Sequence, residues 1–374
     1  MQGAFCYLPI LRAKQGEFRA CAKLSPQAQA RMAVLFDIPV PVLGGSKTLD
    51  DYLGDCAAGI HQAIGRARVY VDPHDLPLEL RTSSGILPVA FLVDALNRFG
   101  SEVTPVTGTQ ADRGDEYLDA VRTIVSRDRR GVCIRLAEED IDEPDLLQDM
   151  LIELLERLAL DPSQADLLLD LRYIGDKRLD PLRAASVEAF EAALRVGDFR
   201  NLILAASSVP HNLGKQDQGT VRRAPRLEID LWQQVSATLA GRAPVAFGDH
   251  GVISAHFVPP GKAVKVPARI RYTTQKEHIF YREVRAQYPG ICEQLAHSAD
   301  FAGSTHSWGD DLFSARARGC AGPGGPAQWV AADTNHHLEL VAQQVWKYLL
   351  DAGLINQFTL PEPASRPWLQ PALL

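Results

Sequence analysis

The 374-residue sequence has no Cys-x-x-Cys pair and no cysteine–histidine spacing of a zinc site. Its six cysteines, Cys6, Cys21, Cys56, Cys133, Cys292 and Cys320, stand far apart. That excludes a small disulfide scaffold and predicts reduced, mostly buried thiols. No stretch approaches the roughly 18–20 apolar residues needed to span a bilayer. The start, MQGAFCYLPILRAK, lacks a basic n-region and has too short an apolar run for a secretory signal, so the expected location is the cytoplasm. A large excess of one charge is missing too. Lys and Arg number 39 against 46 Asp and Glu, a net −7, which predicts no extended nucleic-acid or anionic-membrane surface. The GxSxG elbow, HExxH, the P-loop and the glycine-rich dinucleotide turn are all absent, as is any short tandem repeat.

What is present is an alternation. Apolar runs of strand length lie at 4–11, 33–40, 67–72, 101–107, 131–136, 166–172, 201–208 and 244–249. Most are rich in Val, Ile, Leu or aromatics, as strands buried on both faces require. Helical patterns lie between them at 17–31 (broken at Pro26), 48–64, 86–99, 114–128, 145–159, 181–197 and 226–240. Eight βα units predict a TIM-like (β/α)8 barrel of the α/β class, with an open doubly wound sheet as the alternative. After Asp249 the pattern breaks. Residues 250–332 read as a β-containing cap inserted after the eighth strand, with two strands in HFVPPGKAVKVPARIRYTT and a short helix near 283–297. The eighth helix is expected at 333–350. The domain is thus 1–350, followed by a proline-rich tail at 351–374.

In such a barrel, polar residues at the C-terminal strand ends gather at the mouth. Here these are Arg12, Lys14, Glu17, Asp37, Asp72, His74, Arg135, Asp170, Arg172, Ser207, Ser208, His211, Asp249 and His250. Arginines would hold a phosphate or carboxylate, and carboxylates would bind a hydroxyl, a base edge or Mg²⁺; no particular metal is specified. The same residues would equally serve as ion pairs closing the barrel top. The insertion adds Arg271, Tyr272, His278, Tyr281 and Arg282, then SWGDD. Trp308 and Gly309 there would cover a flat ligand group from a loop, or form a turn with a packed Trp. Gly319, Gly322, Gly324 and Gly325 would let that loop close as a lid, or only make turns. His336 and His337 are adjacent and point apart, one toward the mouth and one toward the surface, which disfavours a metal shared between them.

The expected catalytic carboxylates are Asp170, Asp249 and Asp310; Asp249 or Asp310 is the candidate general base, raised toward neutrality by burial beside other carboxylates. The expected ligand-binding set is Lys14, Glu17, Asp72, Arg135, Arg172, Arg271, Tyr272, His278, Trp308 and Gly309. The activity these support is hydrolysis of a phosphate-bearing small molecule or nucleotide. The alternatives are a non-catalytic ligand sensor and a module that binds a protein partner.

The opening YLPILRAKQGEFRACAKLS resembles the Y-x-P-(I/V)-L-K-x-K-x-G-E-x-x-A-L-x-x-L start of the beta protein family, named after a T-even bacteriophage protein. FGDHG, RIRYTT, SWGDD and NHHL resemble that family's later blocks, in order, so the likeness runs from about residue 7 to 346. Arg12 stands where the family usually has Lys, and Asp37 where it often has Glu. The resemblance implies one domain shared by phages and bacteria, in a defence or mobile-element setting, and gives weight to Lys14, Glu17, Asp249, Trp308, Gly309 and Asp310. It supplies no reaction.

Overall fold

The computed structural model describes residues 5–356 apart from 42–46, 142, 212–220, 256–267, 284–287, 323 and 355. Seven strands run in chain order: β1 (Tyr7–Arg12), β2 (Val34–Asp37), β3 (Arg68–Asp72), β4 (Glu102–Thr107), β5 (Val132–Leu136), β6 (Ala165–Tyr173) and β7 (Asn201–Ser207). A strand outside the barrel, β8 (Val221–Pro225), precedes the eighth barrel strand, β9 (Val245–Asp249). All neighbours within the barrel pair in parallel. β9 closes the ring, with Phe247 opposite both Tyr7 and Leu204. The closed barrel, not the open sheet, is therefore the architecture.

Strand side chains alternate, and the two faces pack separately. Leu8, Ile10, Leu35, Tyr70, Cys133, Leu168, Ile203 and Ala246 fill the barrel interior. Tyr7, Leu11, Phe36, Val69, Ile134, Leu169 and Phe247 face outward against the helices. Carrying this parity to the strand ends turns Arg12, Asp37, Asp72, Arg135 and Asp170 inward. Asp249 goes with Phe247, outward. At β6 the register slips between Asp170 and Tyr173, with Arg172 at φ +52, so simple alternation ends there.

The first helical stretch divides at Pro26, as expected, into Gln15–Cys21 and Pro26–Arg31, with the Ser25 hydroxyl capping the second piece. Thr48 and Asp51 form a capping box on Leu49–Ile64. Five cysteines are buried and Cys320 is exposed; none is in a disulfide. No helix among the described residues is long and apolar enough to cross a membrane.

The cap contains an antiparallel sheet ordered β10 (Ala268–Thr273), β11 (Glu277–Glu283), β8. Its third strand comes from the connection after β7, outside 250–332, and has no apolar signature. The first half of the expected cap hairpin, 256–267, lies outside the described residues, as does nearly all of the 351–374 tail. Ile270, Tyr272, Ile279, Cys292, Leu295, Phe313 and Trp329 give the cap its own small core. The last helix, Pro326–Asp351, starts earlier than the expected 333. Its first half packs into the cap core through Trp329 and Ala332, and its second half packs on the barrel through Leu338, Val341 and Val345.

SWGDD is not an open loop. Ser307 caps a helix, Trp308–Ala317, by accepting a bond from Asp310 N. Gly309 N donates to Asn335 Oδ1 at 3.0 Å, and a Cβ on Gly309 would stand 2.2 Å from the Ala332 carbonyl. Gly309 is thus the contact point of two helices, not a ligand residue. Gly309→Ala is expected to destabilise by about 1–3 kcal/mol, read as a lower urea midpoint. An unchanged midpoint would show that the two helices part at little cost.

Candidate functional site

The inward-facing layer at the barrel top is a buried ion network centred on Arg135. Its guanidinium donates to Asp37 Oδ1 at 2.6 Å, to Asp72 Oδ2 at 2.8 Å and to Asp170 Oδ2 at 2.6 and 3.0 Å. Arg113, sequentially remote and missed by sequence reasoning, makes a second fork to Asp72 at 2.8 and 3.1 Å. His250 Nε2 donates to Asp170 Oδ1 at 2.8 Å. Burial alone would raise these carboxyls. Arg113 and Arg135 nevertheless hold Asp72 below the usual carboxylate range, and His250 and Arg135 hold Asp170 well below it. Arg135 sits among the three carboxylates where a divalent cation would, so its charge is spent inside the protein rather than on a ligand. Asp72 lies beneath the mouth, wholly buried.

Asp249 and Asp310 do not join this layer. Outward parity sends Asp249 to Tyr7, which donates at 2.9 Å, and to His337 Nε2 at 2.9 Å. His337 Nδ1 in turn accepts from Thr273 Oγ1 at 2.9 Å. Asp310 accepts from Tyr272 at 2.8 Å and Ser307 Oγ at 2.6 Å, and it faces His336 Nδ1 at 2.8 Å. Both carboxyls lie below the ordinary range, because donors on each oxygen outweigh burial. The expected rise toward neutrality at Asp249 or Asp310 is therefore corrected: each faces a histidine, not another carboxylate. His336 and His337 are both wholly buried, so neither is the surface residue expected. Tyr272 is buried too, and His278 Nε2 donates to buried Glu228 at 3.0 Å. The Arg19 guanidinium lies 5.4 Å from the Trp308 ring centroid, so that ring is occupied.

The open space lies beside this network, between the barrel mouth and the cap. One part, about 20 Å³ and so room for about one water, is lined by Arg12, Glu17, Asp37, Asp75, Arg172, His250 and Thr334. An adjoining part, about 370 Å³, is lined by Arg12, Lys14, Glu17, His211, Ser254, Arg269 and Arg271. Strand alternation explains the cap wall: in RIRYT, Ile270 and Tyr272 enter the cap core while Arg269 and Arg271 face the cleft. Burial, with Arg271 and Arg282 close by, pulls the Arg269 guanidinium down from its ordinary value. Arg271 also reaches Asp333 at 3.4 Å.

Glu17, on the first helix, is 3% exposed at the floor shared by both parts. Burial raises its carboxyl to about 7, against the pull of Lys14, Arg12 and Arg271. Asp333 is likewise lifted to about 7 by burial, against Arg271, and its Oδ1 has no hydrogen-bond partner among the described residues. Thr334 Oγ1 on the cleft wall also lacks one. Lys14, Glu17, Arg172 and Arg271 from the expected set thus reach the cleft. A third opening, about 280 Å³, is lined by His74, Arg113, Arg135, Asp170 and Arg172. Arg269, Asp333 and Thr334 were missed. For Arg269 the alternating R-I-R-Y of the cap strand was the available signal; the burial of Asp333 and Thr334 on a helix has none.

These features define an α/β barrel whose mouth at the C-terminal strand ends is roofed by a small β-containing cap and lined with cations. The Beta protein family matches residues 7–343, and the chain belongs to that family. No curated protein sequence matches it. Among solved structures, the HMG-CoA lyase from Brucella melitensis is similar at a TM-score of 0.33 and 14% identity, over 67% of this chain and 81% of that one. That likeness is slight, and the barrel stands on its own strand pairing.

Proposed function

We propose that the chain binds a phosphate-bearing small molecule, of the nucleotide or sugar-phosphate class, in the cleft between mouth and cap, and hydrolyses it with Glu17 as the proton-transfer group. The supporting observation is the placement of Arg12, Lys14, Arg172, Arg269 and Arg271 around one buried carboxyl. Crowded guanidinium groups gain most from a multiply charged anion, which they bind through paired N–H donors. A carboxyl at about 7 is present in both protonation states near neutral pH, which suits it to give or take a proton. The reduced thiols fit a cytoplasmic setting, and the phage and bacterial setting implied by the family resemblance fits an intracellular nucleotide or sugar phosphate.

A second reading, ligand holding without turnover, is favoured by one observation. Arg135 and its neighbours immobilise Asp37, Asp72 and Asp170, which withdraws three of the mouth's carboxylates from proton transfer. Both readings meet one experiment. Nucleotides, sugar phosphates and inorganic phosphate are screened by thermal shift and product release on wild type, Lys14→Ala/Arg269→Ala and Glu17→Gln. A ligand at a hundred times its Kd is expected to stabilise wild type by about 2.7 kcal/mol and the double variant far less. Glu17→Gln is expected to bind and not turn over. Binding by wild type without product leaves the holding reading, and no binding at all removes both.

A further inference from the structure

We propose that His306, Asp310 and His336 form a binding site for a divalent transition-metal ion, Zn²⁺ foremost, in the cap and apart from the mouth cleft. The three side chains each offer one ligand atom, all within 4.8 Å of one another. The His336 ring is fixed on both sides. Nε2 lies 2.7 Å from the Thr273 carbonyl, so it carries a proton and donates there. The ring also stacks on Tyr272, with centroids 3.8 Å apart. This is the outer-sphere arrangement that orients a metal-binding imidazole, with its other nitrogen deprotonated and aimed inward. That nitrogen, Nδ1, points at Asp310 Oδ2 at 2.8 Å. A lone pair facing a carboxylate oxygen needs a positive charge between them: a second ring proton or a metal ion.

The second observation is independent of that pair. His306 Nε2 is buried and has no hydrogen-bond partner among the described residues, although its ring stands 5.4 Å from that of His336, edge to face. Asp310 is itself oriented by Tyr272 and by Ser307, as a ligating carboxylate usually is. Ligand atoms of a tetrahedral zinc lie about 3.3 Å apart for bonds of about 2.0–2.1 Å, so closure needs His306 to swing inward by about 1.5 Å or less. His306 is half-buried and lines an opening of about 510 Å³ with Ser25, Arg31 and Glu339, which gives an ion and a fourth ligand access. Two imidazoles and one carboxylate suit zinc and its transition-metal neighbours, not Mg²⁺.

The test titrates Zn²⁺ and Co²⁺ into full-length, chelator-treated protein carrying Cys320→Ser, since that exposed thiol would otherwise bind metal. One ion per chain is expected, with visible Co²⁺ ligand-field bands. His306→Ala should weaken Kd by more than the roughly 10–100-fold that loss of an outer-sphere partner costs. Its metal-free melting temperature should match that of the Cys320→Ser parent. Should that temperature fall instead, the parent's Co²⁺ spectrum decides: histidine-type bands uphold the site, and their absence removes it. No stoichiometric binding, or equal binding by His306→Ala, overturns it outright. Anion binding at the mouth is untouched by either outcome.

Discussion

Arg135→Leu is expected to cost about 3–5 kcal/mol of folding stability, among the largest effects any single substitution in the barrel would produce. Removing one partner of a buried ion network leaves its carboxylates desolvated and uncompensated, which is far worse than never having built the network. Here Asp72 would keep Arg113 and Asp170 would keep His250, but Asp37 would lose both of its bonds to the guanidinium. The three acids would then repel one another at the barrel top. The loss should shrink in acid, where protonation removes that repulsion, because Asp72 and Asp170 are held ionised in the native state mainly by cations. Urea unfolding at pH 7 and pH 4 measures both effects. A change below about 1 kcal/mol at pH 7 would mean that Arg135 is dispensable to the fold and free for a ligand, contrary to its buried bonding.

Much of the barrel is legible in the sequence because each strand is a short apolar run buried on both faces, which few other environments require. The site is less legible. Position at a strand end says that a residue is near the mouth; parity says whether it points in. Leu35 inward implies Asp37 inward, and Ala246 inward implies Asp249 outward, toward His337. Parity alone therefore separates Asp37, Asp72, Arg135 and Asp170 from Asp249. The third cap strand leaves no such trace. Val221–Pro225 is mostly exposed, and pairing with Glu277–Tyr281 makes it a strand. SWGDD looks like a loop because Trp and Gly break apolar periodicity. Its Ser307-x-x-Asp310 spacing is nonetheless a capping signature, and Pro326 after a glycine-rich run marks the true start of the last helix. Glu17 was legible as a motif residue but not as a buried one, because only the folded chain brings the cap and last helix over it.

Glu17→Gln is expected to gain stability over wild type as pH rises, by about 3 kcal/mol at the plateau. The carboxyl stands at about 7 in the folded protein against an ordinary 4.5. Between those values the native state keeps a proton that the unfolded chain has released, so wild-type stability from this group falls by about 1.4 kcal/mol per pH unit. Glutamine does not titrate. The difference between the two proteins should be level below about pH 4, rise from there to about 7, and level again. Asp333, also raised to about 7, and His306 and His337, both lowered by burial, are common to the two proteins and cancel. Phosphate binding gives the second reading of the same proton. An anion placed beside Glu17 favours its protonated form, so wild type should take up a proton on binding and lose affinity above pH 7, while Glu17→Gln should lose less. A difference in stability that stays within about 0.5 kcal/mol from pH 4 to 8 would show Glu17 to be an ordinary ion held by Lys14 and Arg12. The proton carrier would then have to be another group.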